Sequence, residues 1–266
     1  IKEIDDAFMK TLPNKKLRDT LLSYFAYGTT GLTDQQTFLH NCGYGASNAK
    51  STVVNMHAKA LGIYAEKLDK DFLSEKYTKT DKTLAKLITK PVRLVYLEEM
   101  STVKLNRELL LVFVDGGELE IRPLYQHAIN ITNQAKLISI GNYDLNLPTD
   151  NGVLRRGVQI NFTSKFVDDD DEEEVNHAKH IYKKDKQFLH KFELSRYKLA
   201  YIHYLRPYIQ EFYKKKKIYV CPSAKKRFRD TLNDFDELKQ RVNSLVEKTN
   251  NRTNWIGKEE MLKKLR

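Results

Sequence analysis

The stretch that decides the fold is a glycine-containing segment, Gly43-Tyr44-Gly45-Ala46-Ser47-Asn48-Ala49-Lys50-Ser51-Thr52. An apolar run precedes it at residues 37–39, and a helical pattern follows it from Val53. A strand, a glycine-rich turn, a Lys-Ser pair and a helix, in that order, are typical of a phosphate-binding loop. In such loops backbone N–H groups and the helix N-terminus surround the phosphate oxygens. We therefore predict that residues 43–52 bind a nucleotide, with Lys50 at the β- and γ-phosphates and Ser51 on Mg²⁺.

The glycines of this segment are shifted from the standard pattern. That pattern has a glycine directly before the lysine and another six residues before it, where this chain has Ala49 and Tyr44. The two glycines stand at Gly43 and Gly45 instead. An ordinary strand-to-helix turn is therefore the alternative interpretation, and a nucleotide-free scaffold is the corresponding functional alternative.

Two further apolar runs end in polar side chains. Residues 91–97 precede Glu98 and Glu99, and residues 135–141 precede Asn142. Continuous apolar runs favour strands buried on both faces of a parallel sheet, whose carboxyl ends form the ligand-binding edge. One acid would hold Mg²⁺ and the other would orient or deprotonate the attacking water, with the assignment open, and Asn142 would bind the γ-phosphate. The alternative for the acids is a buried strand followed by two solvated carboxylates.

An arginine pair stands directly before an alternating run at residues 158–162. An arginine in this position is well placed to reach the nucleotide of a neighbouring subunit, where its fixed charge would stabilise the transferring phosphoryl group. Arg156 is the candidate and Arg155 the runner-up. The alternative for Arg156 is a plain surface or ion-pair arginine.

These four elements, in this order, resemble those of superfamily 3 helicases, above all the helicase domain of primase-helicases from poxviruses and other large DNA viruses. The resemblance runs from about Leu17 to about Leu232. It implies an AAA+-type α/β core that binds ATP and Mg²⁺, in a ring of six subunits that moves along single-stranded or forked DNA. The catalytic residues it implies are Glu98, Glu99, Asn142 and Arg156, with Ser51 and Glu98 as metal ligands.

A β-hairpin is predicted by alternating runs on both sides of residues 123–128. In the resembling family a hairpin in this interval holds the DNA backbone. Arg122 and His127 are accordingly the DNA-binding candidates, with Tyr125 available for stacking and Gln126 for a phosphate hydrogen bond. The alternatives are a packed tyrosine, an ion pair of Arg122 with a nearby acid, and a plain surface histidine. A nucleotide-binding switch or packaging ATPase without unwinding activity would need no basic hairpin.

The composition of the chain limits the classes of partner that we expect. The chain has 266 residues and a net charge of +11, which favours a polyanionic partner such as nucleic acid. The acidic run at residues 168–174 predicts a solvated loop. Cys42 and Cys221 lack metal-ligand spacing, which favours a reducing, intracellular setting without zinc. No apolar stretch reaches membrane-spanning length, so we expect no membrane partner.

The local patterns divide the chain into three parts. Residues 1–34 are expected to form an N-terminal helical segment, 35–166 the AAA+-like core, and 167–266 a helical lobe with the acidic loop, helical over 175–232. Because the chain begins with Ile1 rather than Met, we expect a piece of a longer protein. The resemblance implies a primase domain as a candidate for the remainder. It also favours a viral replication site in the host cell, in the cytoplasm rather than the nucleus.

Overall fold

The computed structural model describes residues 1–75, 82–100, 104–122, 127–147, 149–171 and 173–234. Two helices open the chain, α1 (Lys2–Thr11) and α2 (Lys15–Gly28). The side chain of Asn14 begins α2 by accepting hydrogen bonds from the N–H groups of Lys16 and Leu17. Both helices lie within the segment whose apolar spacing predicted helix.

Five parallel strands form the central sheet: β1 (Phe38–Cys42), β2 (Ala65–Lys67), β3 (Leu94–Glu98), β6 (Lys136–Gly141) and β7 (Gly157–Asn161). Their order is β2-β3-β6-β1-β7. The predicted α/β fold with a central parallel sheet is thereby confirmed. The order places β6 between β3 and β1, so the carboxyl ends of the three predicted ligand-binding strands are neighbours.

The connections between these strands are helical. They include α3 (Lys50–Leu61), α4 (Lys82–Thr89), α5 (Arg107–Val114) and α6 (Asn151–Arg156). Short 3₁₀ turns occupy Gly62–Tyr64 and Lys70–Leu73. Parallel strands need such crossovers, because a tight turn can join only antiparallel neighbours.

The predicted hairpin is present. Strands β4 (Glu118–Ile121) and β5 (Ile129–Thr132) pair antiparallel, with Ile121 opposite Ile129. Residues 123–126, which stand between the two strands in the sequence and include Tyr125 and Gln126, lie outside the described residues.

The C-terminal part differs from its predicted helicity at its start. Strands β8 (Lys165–Val167) and β9 (Ile181–Lys183) form a small parallel pair, and a 3₁₀ turn at His177–Lys179 precedes β9. The prediction of helix from residue 175 is therefore wrong at β9, where Ile181 is buried and extended backbone pairs with β8. Helices follow at α7 (Phe188–Lys191), α8 (Ser195–Lys215) and α9 (Pro222–Asp234).

Alternate residues of each strand pack on opposite faces of the sheet, as period-2 geometry requires. Leu94 and Tyr96 of β3 join a core with α1, α2, α3 and α8. Val95 and Leu97 join a second core with α5 and α9. The C-terminal helix α9 thus packs directly on the sheet: a side-chain carbon added at Gly157 would lie only 2.0 Å from the ring of Phe228.

Within the part of the chain that the structure describes, no helix combines the length and apolarity that crossing a bilayer requires. Cys42 and Cys221 are both buried free thiols.

Candidate nucleotide-binding site

The phosphate loop connects the end of β1 to α3, and its shifted glycines have a local cause. A side-chain carbon on Gly43 would lie 2.9 Å from the Asn48 amide oxygen and 3.2 Å from the Phe162 carbonyl. Gly45 has open space around it but a φ of +93°, which only glycine adopts without strain. One glycine is therefore required for close approach and the other for backbone conformation.

Ala49 stands where the standard loop has its last glycine, and it adopts the glycine-type conformation nevertheless. Its φ of 60° and ψ of 12° lie in the left-handed region, as does the φ of 62° at Ser47. Such a conformation costs a non-glycine residue about 1–2 kcal/mol. Helix α3 begins directly afterwards at Lys50, three residues before the predicted start at Val53.

Lys50 reaches back into the loop and is 8% exposed. Its ammonium donates to the carbonyl of Gly43 (3.2 Å) and to the side-chain oxygens of Asn48 (3.1 Å) and Asn142 (2.7 Å). All these acceptors are neutral, and no carboxylate among the described residues pairs with Lys50. Burial lowers the pKa of Lys50 from its ordinary value. Because the hydrogen-bond acceptors around the ammonium are neutral, an anion bound beside it would stabilise its charge.

The backbone of the loop offers further donors. In the hydrogen bonds of the described residues, the N–H groups from Tyr44 to Thr52 have no acceptor. These include the first turn of α3, where the helix dipole also favours negative charge. The segment that carries Ala46, Ser51 and Thr52 is therefore chemically suited to phosphate oxygens.

A cavity of about 420 Å³ adjoins the loop. One wall is the start of α3, a second is α1 with Asp6 and Lys10, and a third is formed by Phe166, Lys184 and Phe188. The small sheet holds the third wall against the loop, because the Phe166 N–H donates to the Ser47 carbonyl at 2.8 Å. The cavity is large enough for a small ligand that extends from the loop.

The two acids stand at the end of β3, as predicted. Glu98 lies opposite Ile140 of β6, which lies opposite Asn41 of β1, so the three strand ends form one row. The Glu98 carboxylate pairs with Lys67, and that of Glu99 lies 3.4 Å from the Lys70 ammonium.

Backbone strain marks the second acid. Glu99 has a φ of 59°, and its side chain is 79% exposed. Strained conformations at a non-glycine residue cluster at functional sites, because the surrounding structure must supply the energy that holds them.

Asn142 follows β6 and is brought directly to the loop, as its 2.7 Å contact with Lys50 shows. Behind it, His40 lies 2.9 Å from the Ser139 hydroxyl and 3.1 Å from the Tyr143 carbonyl. Burial lowers the pKa of His40 to about 4, so this ring is neutral at physiological pH. It acts as a fixed support for the segment that carries Asn142.

The two arginines before β7 have different surroundings. Arg156 ends α6, and its side chain is 10% exposed; it makes two hydrogen bonds to the Asp115 carboxylate (2.6 and 2.5 Å) and one to the Gly152 carbonyl. Arg155 is exposed, and among the described residues its guanidinium donates only to the neutral Gln36 side chain, at 2.8 Å. These contacts favour the ion-pair alternative for Arg156 and leave Arg155 available. Strand β7 lies at the edge of the five-stranded sheet.

The DNA-binding candidates belong to the hairpin, whose strands β4 and β5 form a two-stranded sheet of their own. Arg122 follows β4 and His127 precedes β5, so both flank the tip of the hairpin, and both are exposed. The structure does not bring them together with Lys50 or Asn142.

Sequence reasoning missed a cluster of four residues beside the loop. The hydroxyl of Tyr44 donates to Asp144 at 2.7 Å and accepts from the Arg227 guanidinium at 2.5 Å, and Arg227 also lies 3.5 Å from Asp144. Gln159 of β7 donates to the same carboxylate at 2.6 Å. Asp144 could have been found from the sequence, because it stands two residues after Asn142. Nothing in the sequence indicated that Arg227 of α9 would join it.

Comparisons with known proteins agree with this fold. No family model matches the chain. A protein of Acanthamoeba polyphaga mimivirus with the name "Putative helicase" is 27% identical over 172 residues, which cover 62% of this chain and 18% of that protein. Two apo structures of the C-terminal region of NrS-1 superpose with TM-scores of 0.58 and 0.59, at 16% and 12% identity. They cover 91% and 99% of this chain, and the chain spans 53% and 61% of theirs. The structural similarity establishes the fold, and the chain is shorter than two thirds of each of these relatives.

Proposed function

We propose that this chain is the ATP-hydrolysing core of a DNA helicase of the superfamily 3 type. The observation that carries the proposal is the contact of Lys50 with Asn142, which unites the phosphate loop with the third predicted motif. The similarity to a mimivirus protein named as a helicase supports helicase function in general. The superfamily, the use of ATP and the viral replication role rest on the order of motifs in the sequence.

The described residues fit a triphosphate. Free N–H groups from Tyr44 to Thr52 and the Lys50 ammonium would bind the phosphates, and the adjoining cavity would take the nucleoside. Bound Mg²⁺ would supply charge neutralisation at the β- and γ-phosphates. The Ser51 hydroxyl and the Glu98 carboxylate are its candidate protein ligands, because Mg²⁺ binds few protein oxygens beside phosphates and waters. Among the described residues, no cluster of three metal-ligating side chains occurs.

Hydrolysis needs a residue that positions or deprotonates water. Glu98 and Glu99 remain the candidates, and Asn142 would bind the γ-phosphate while it holds Lys50 in place. The lysines that now pair with the two acids are weak competitors for a divalent cation. Lys67 is 52% exposed and Lys70 35% exposed, and exposed ion pairs contribute only about 0–1 kcal/mol.

A neighbouring subunit would complete the site. Arg155 is our preferred arginine for this role, because its guanidinium is exposed and the partner it has in the described part of the chain, the Gln36 side chain, is neutral. Arg156 stays the second candidate. An arginine that acts on another subunit requires a neighbouring copy of the chain, and the resembling family suggests a ring of six subunits.

The hairpin favours a helicase over a nucleotide-binding switch or a packaging ATPase. Its two strands are formed, and exposed Arg122 and His127 flank its tip. We propose that these side chains hold the DNA backbone, in a way that depends on salt and not on base sequence. A primase domain on the same longer chain and a cytoplasmic viral replication site belong to this proposal as well.

The decisive test is Lys50→Ala, measured by phosphate release with ATP and Mg²⁺. Loss of the phosphate-facing charge should lower hydrolysis by about 10²–10³-fold or more, as for other preorganised electrostatic groups. The matched control is Lys59→Ala on the same helix, whose ammonium pairs with Glu193 away from the loop. Both variants should melt near the wild-type temperature. Hydrolysis at the wild-type rate by Lys50→Ala would remove the phosphate-loop assignment, and calorimetric titration with ATP would then test the scaffold alternative.

A further inference from the structure

A second cation-lined cavity lies at the opposite end of the sheet from the phosphate loop. Its volume is about 610 Å³, and its walls are the α2–β1 connection, the end of α6, the α8–α9 connection and the first turn of α9. The cations that line it are Arg155, Lys217 and Lys225, and the only carboxylate in its lining is that of Asp34. The lining therefore carries two positive charges in excess.

None of these cations is neutralised within the described residues. Lys225 donates to the Arg155 carbonyl at 2.6 Å, and Arg155 donates to the Gln36 side chain at 2.8 Å. Both acceptors are uncharged, and neither cation has a carboxylate within ion-pair distance. Lys217 is exposed and has no ion pair there either.

The cations repel one another. Burial lowers the pKa of Lys225 from its ordinary value, and the nearby charges of Arg229 and Arg155 lower it further. A protein gains no stability from gathering like charges at a half-buried position, so such an arrangement marks a site for an opposite charge.

The floor of the cavity is rigid. Helix α9 packs on β7 through Phe228, whose ring meets Phe38 edge to face at 5.4 Å. The Ile218 N–H and the Lys216 carbonyl are both hydrogen-bonded by the Gln35 side chain, at 3.2 and 3.1 Å. The cations are therefore attached to fixed elements, which reduces the ordering cost of binding.

The chain's own nucleotide cannot reach this cavity. Thr37 lines it at the start of β1, whereas the phosphate loop starts after the end of that strand. An extended strand rises about 3.3 Å per residue, so the two sites are roughly 20 Å apart. Any phosphate bound here must belong to another molecule.

We propose that the cavity lined by Arg155, Lys217 and Lys225 binds phosphate groups of a second molecule. The two sources with this chemistry are the backbone of a nucleic acid strand and the nucleotide of a neighbouring copy of the chain. Lysine and arginine bind phosphate through charge-assisted hydrogen bonds, and such contacts are strongest where water is partly excluded. The inference does not require that the chain hydrolyse ATP. If the source is the nucleotide of a neighbouring copy, Lys217 and Lys225 join Arg155 in the role proposed for it above; if the source is nucleic acid, that role passes to Arg156.

The test uses the full chain with Lys50→Ala, so that the phosphate loop contributes little to binding. The cavity variant adds Lys217→Gln and Lys225→Gln, and glutamine can keep the hydrogen bond to the Arg155 carbonyl. The control variant adds Lys214→Gln and Lys226→Gln, which remove the same charge from neighbouring positions outside the cavity. Lys226 pairs with Asp230 on the exposed face of α9.

The probe is inorganic tripolyphosphate, measured by titration calorimetry, with thermal melting as a check of folding. The cavity variant should bind it about tenfold more weakly than the Lys50→Ala parent, and the control variant should match the parent. Equal weakening in both variants, or no measurable binding by the parent, would overturn the proposal. If the cavity variant melts early, the exposed single change Lys217→Glu replaces it with the same expected loss.

A second measurement identifies the source. Fluorescence anisotropy with labelled oligothymidylate is recorded against salt concentration. Weaker binding by the cavity variant, with a salt slope reduced by about 0.7 for each lost contact, assigns the cavity to nucleic acid. Unchanged DNA binding together with weakened tripolyphosphate binding assigns it to the nucleotide of a neighbouring copy.

Discussion

The two sides of the candidate site hold their charges differently. On the loop side, Lys50 is surrounded by neutral oxygens, so its charge is free to meet a ligand. On the acid side, Glu98 and Glu99 are each paired with a lysine. The loop side can therefore bind phosphate as it stands. On the acid side, Mg²⁺ would first have to displace the lysines that pair with the two carboxylates.

The two arginines before β7 show the same contrast more sharply. Arg155 donates to a neutral side chain, whereas Arg156 is buried and forms a bidentate ion pair with Asp115. An exposed pair contributes little, but breaking a buried pair leaves an uncompensated charge. The partner and its burial, rather than the residue type alone, thus decide which charge is available for chemistry.

The largest expected effect separates these arginines. Arg155→Ala should lower ATP hydrolysis by about 10³-fold or more while the melting temperature stays near wild type. Arg156→Ala should lower the free energy of unfolding by about 3 kcal/mol, because Asp115 loses its partner. Phosphate release measures the hydrolysis rate, and denaturant unfolding measures the free energy of unfolding.

A mixing experiment serves as the control for this prediction. Arg155→Ala mixed with Lys50→Ala should regain part of the activity, because each protein keeps the half-site that the other lacks. A stable but inactive Arg156→Ala, together with an active Arg155→Ala, would reverse our choice of arginine.

The next largest effect is expected from substitutions of the two acids. Glu98→Gln and Glu99→Gln keep the side-chain shape but can neither take a proton nor neutralise a metal. We expect the variant that lacks the base to hydrolyse ATP about 10²–10⁴-fold more slowly, with ATP affinity retained. Single-turnover hydrolysis and titration with a fluorescent nucleotide separate the two quantities. If both variants turn over normally, the end of β3 does not border the site.

The smallest effect concerns the loop backbone. Ala49→Gly should relieve the left-handed conformation and raise the free energy of unfolding by up to about 1 kcal/mol, after the entropy cost of glycine is subtracted. Ala46→Gly is the matched control, since Ala46 has no positive φ and should gain nothing. Denaturant unfolding of both variants checks this. Lower stability of Ala49→Gly would show that the loop is not strained there.

The sequence predicted most of what local patterns can encode. Buried strands appear as apolar runs, and a polar residue after a run indicates where the strand ends, so β1, β3 and β6 and the positions of Glu98 and Asn142 at strand ends could be predicted. The start of α3 was not, because the left-handed Ala49 allows the helix to begin at polar residues. The short strand β9 was taken for helix, since its pairing with β8 is a tertiary contact.

The contacts that α9 makes with the phosphate loop and with α6 could be seen only in the folded chain. Tyr44 and Arg227 are joined across 183 positions of sequence, and Lys225 and Arg155 across 70. No periodicity or motif relates such distant residues. The same holds for Arg156, whose role depends on where Asp115 comes to lie.

The position of Cys42 makes the phosphate loop observable by thiol chemistry. Its sulfur lies at the end of β1 beneath the loop, 3.7 Å from an oxygen of Asp144. Burial and that carboxylate raise the pKa of Cys42 to about 12. The thiolate is the form that attacks an alkylating reagent and displaces its leaving group, so a buried, protonated Cys42 should react extremely slowly at neutral pH. The rate of alkylation at Cys42 therefore reports how often the loop opens and exposes the thiol. A bound nucleotide should lower that rate.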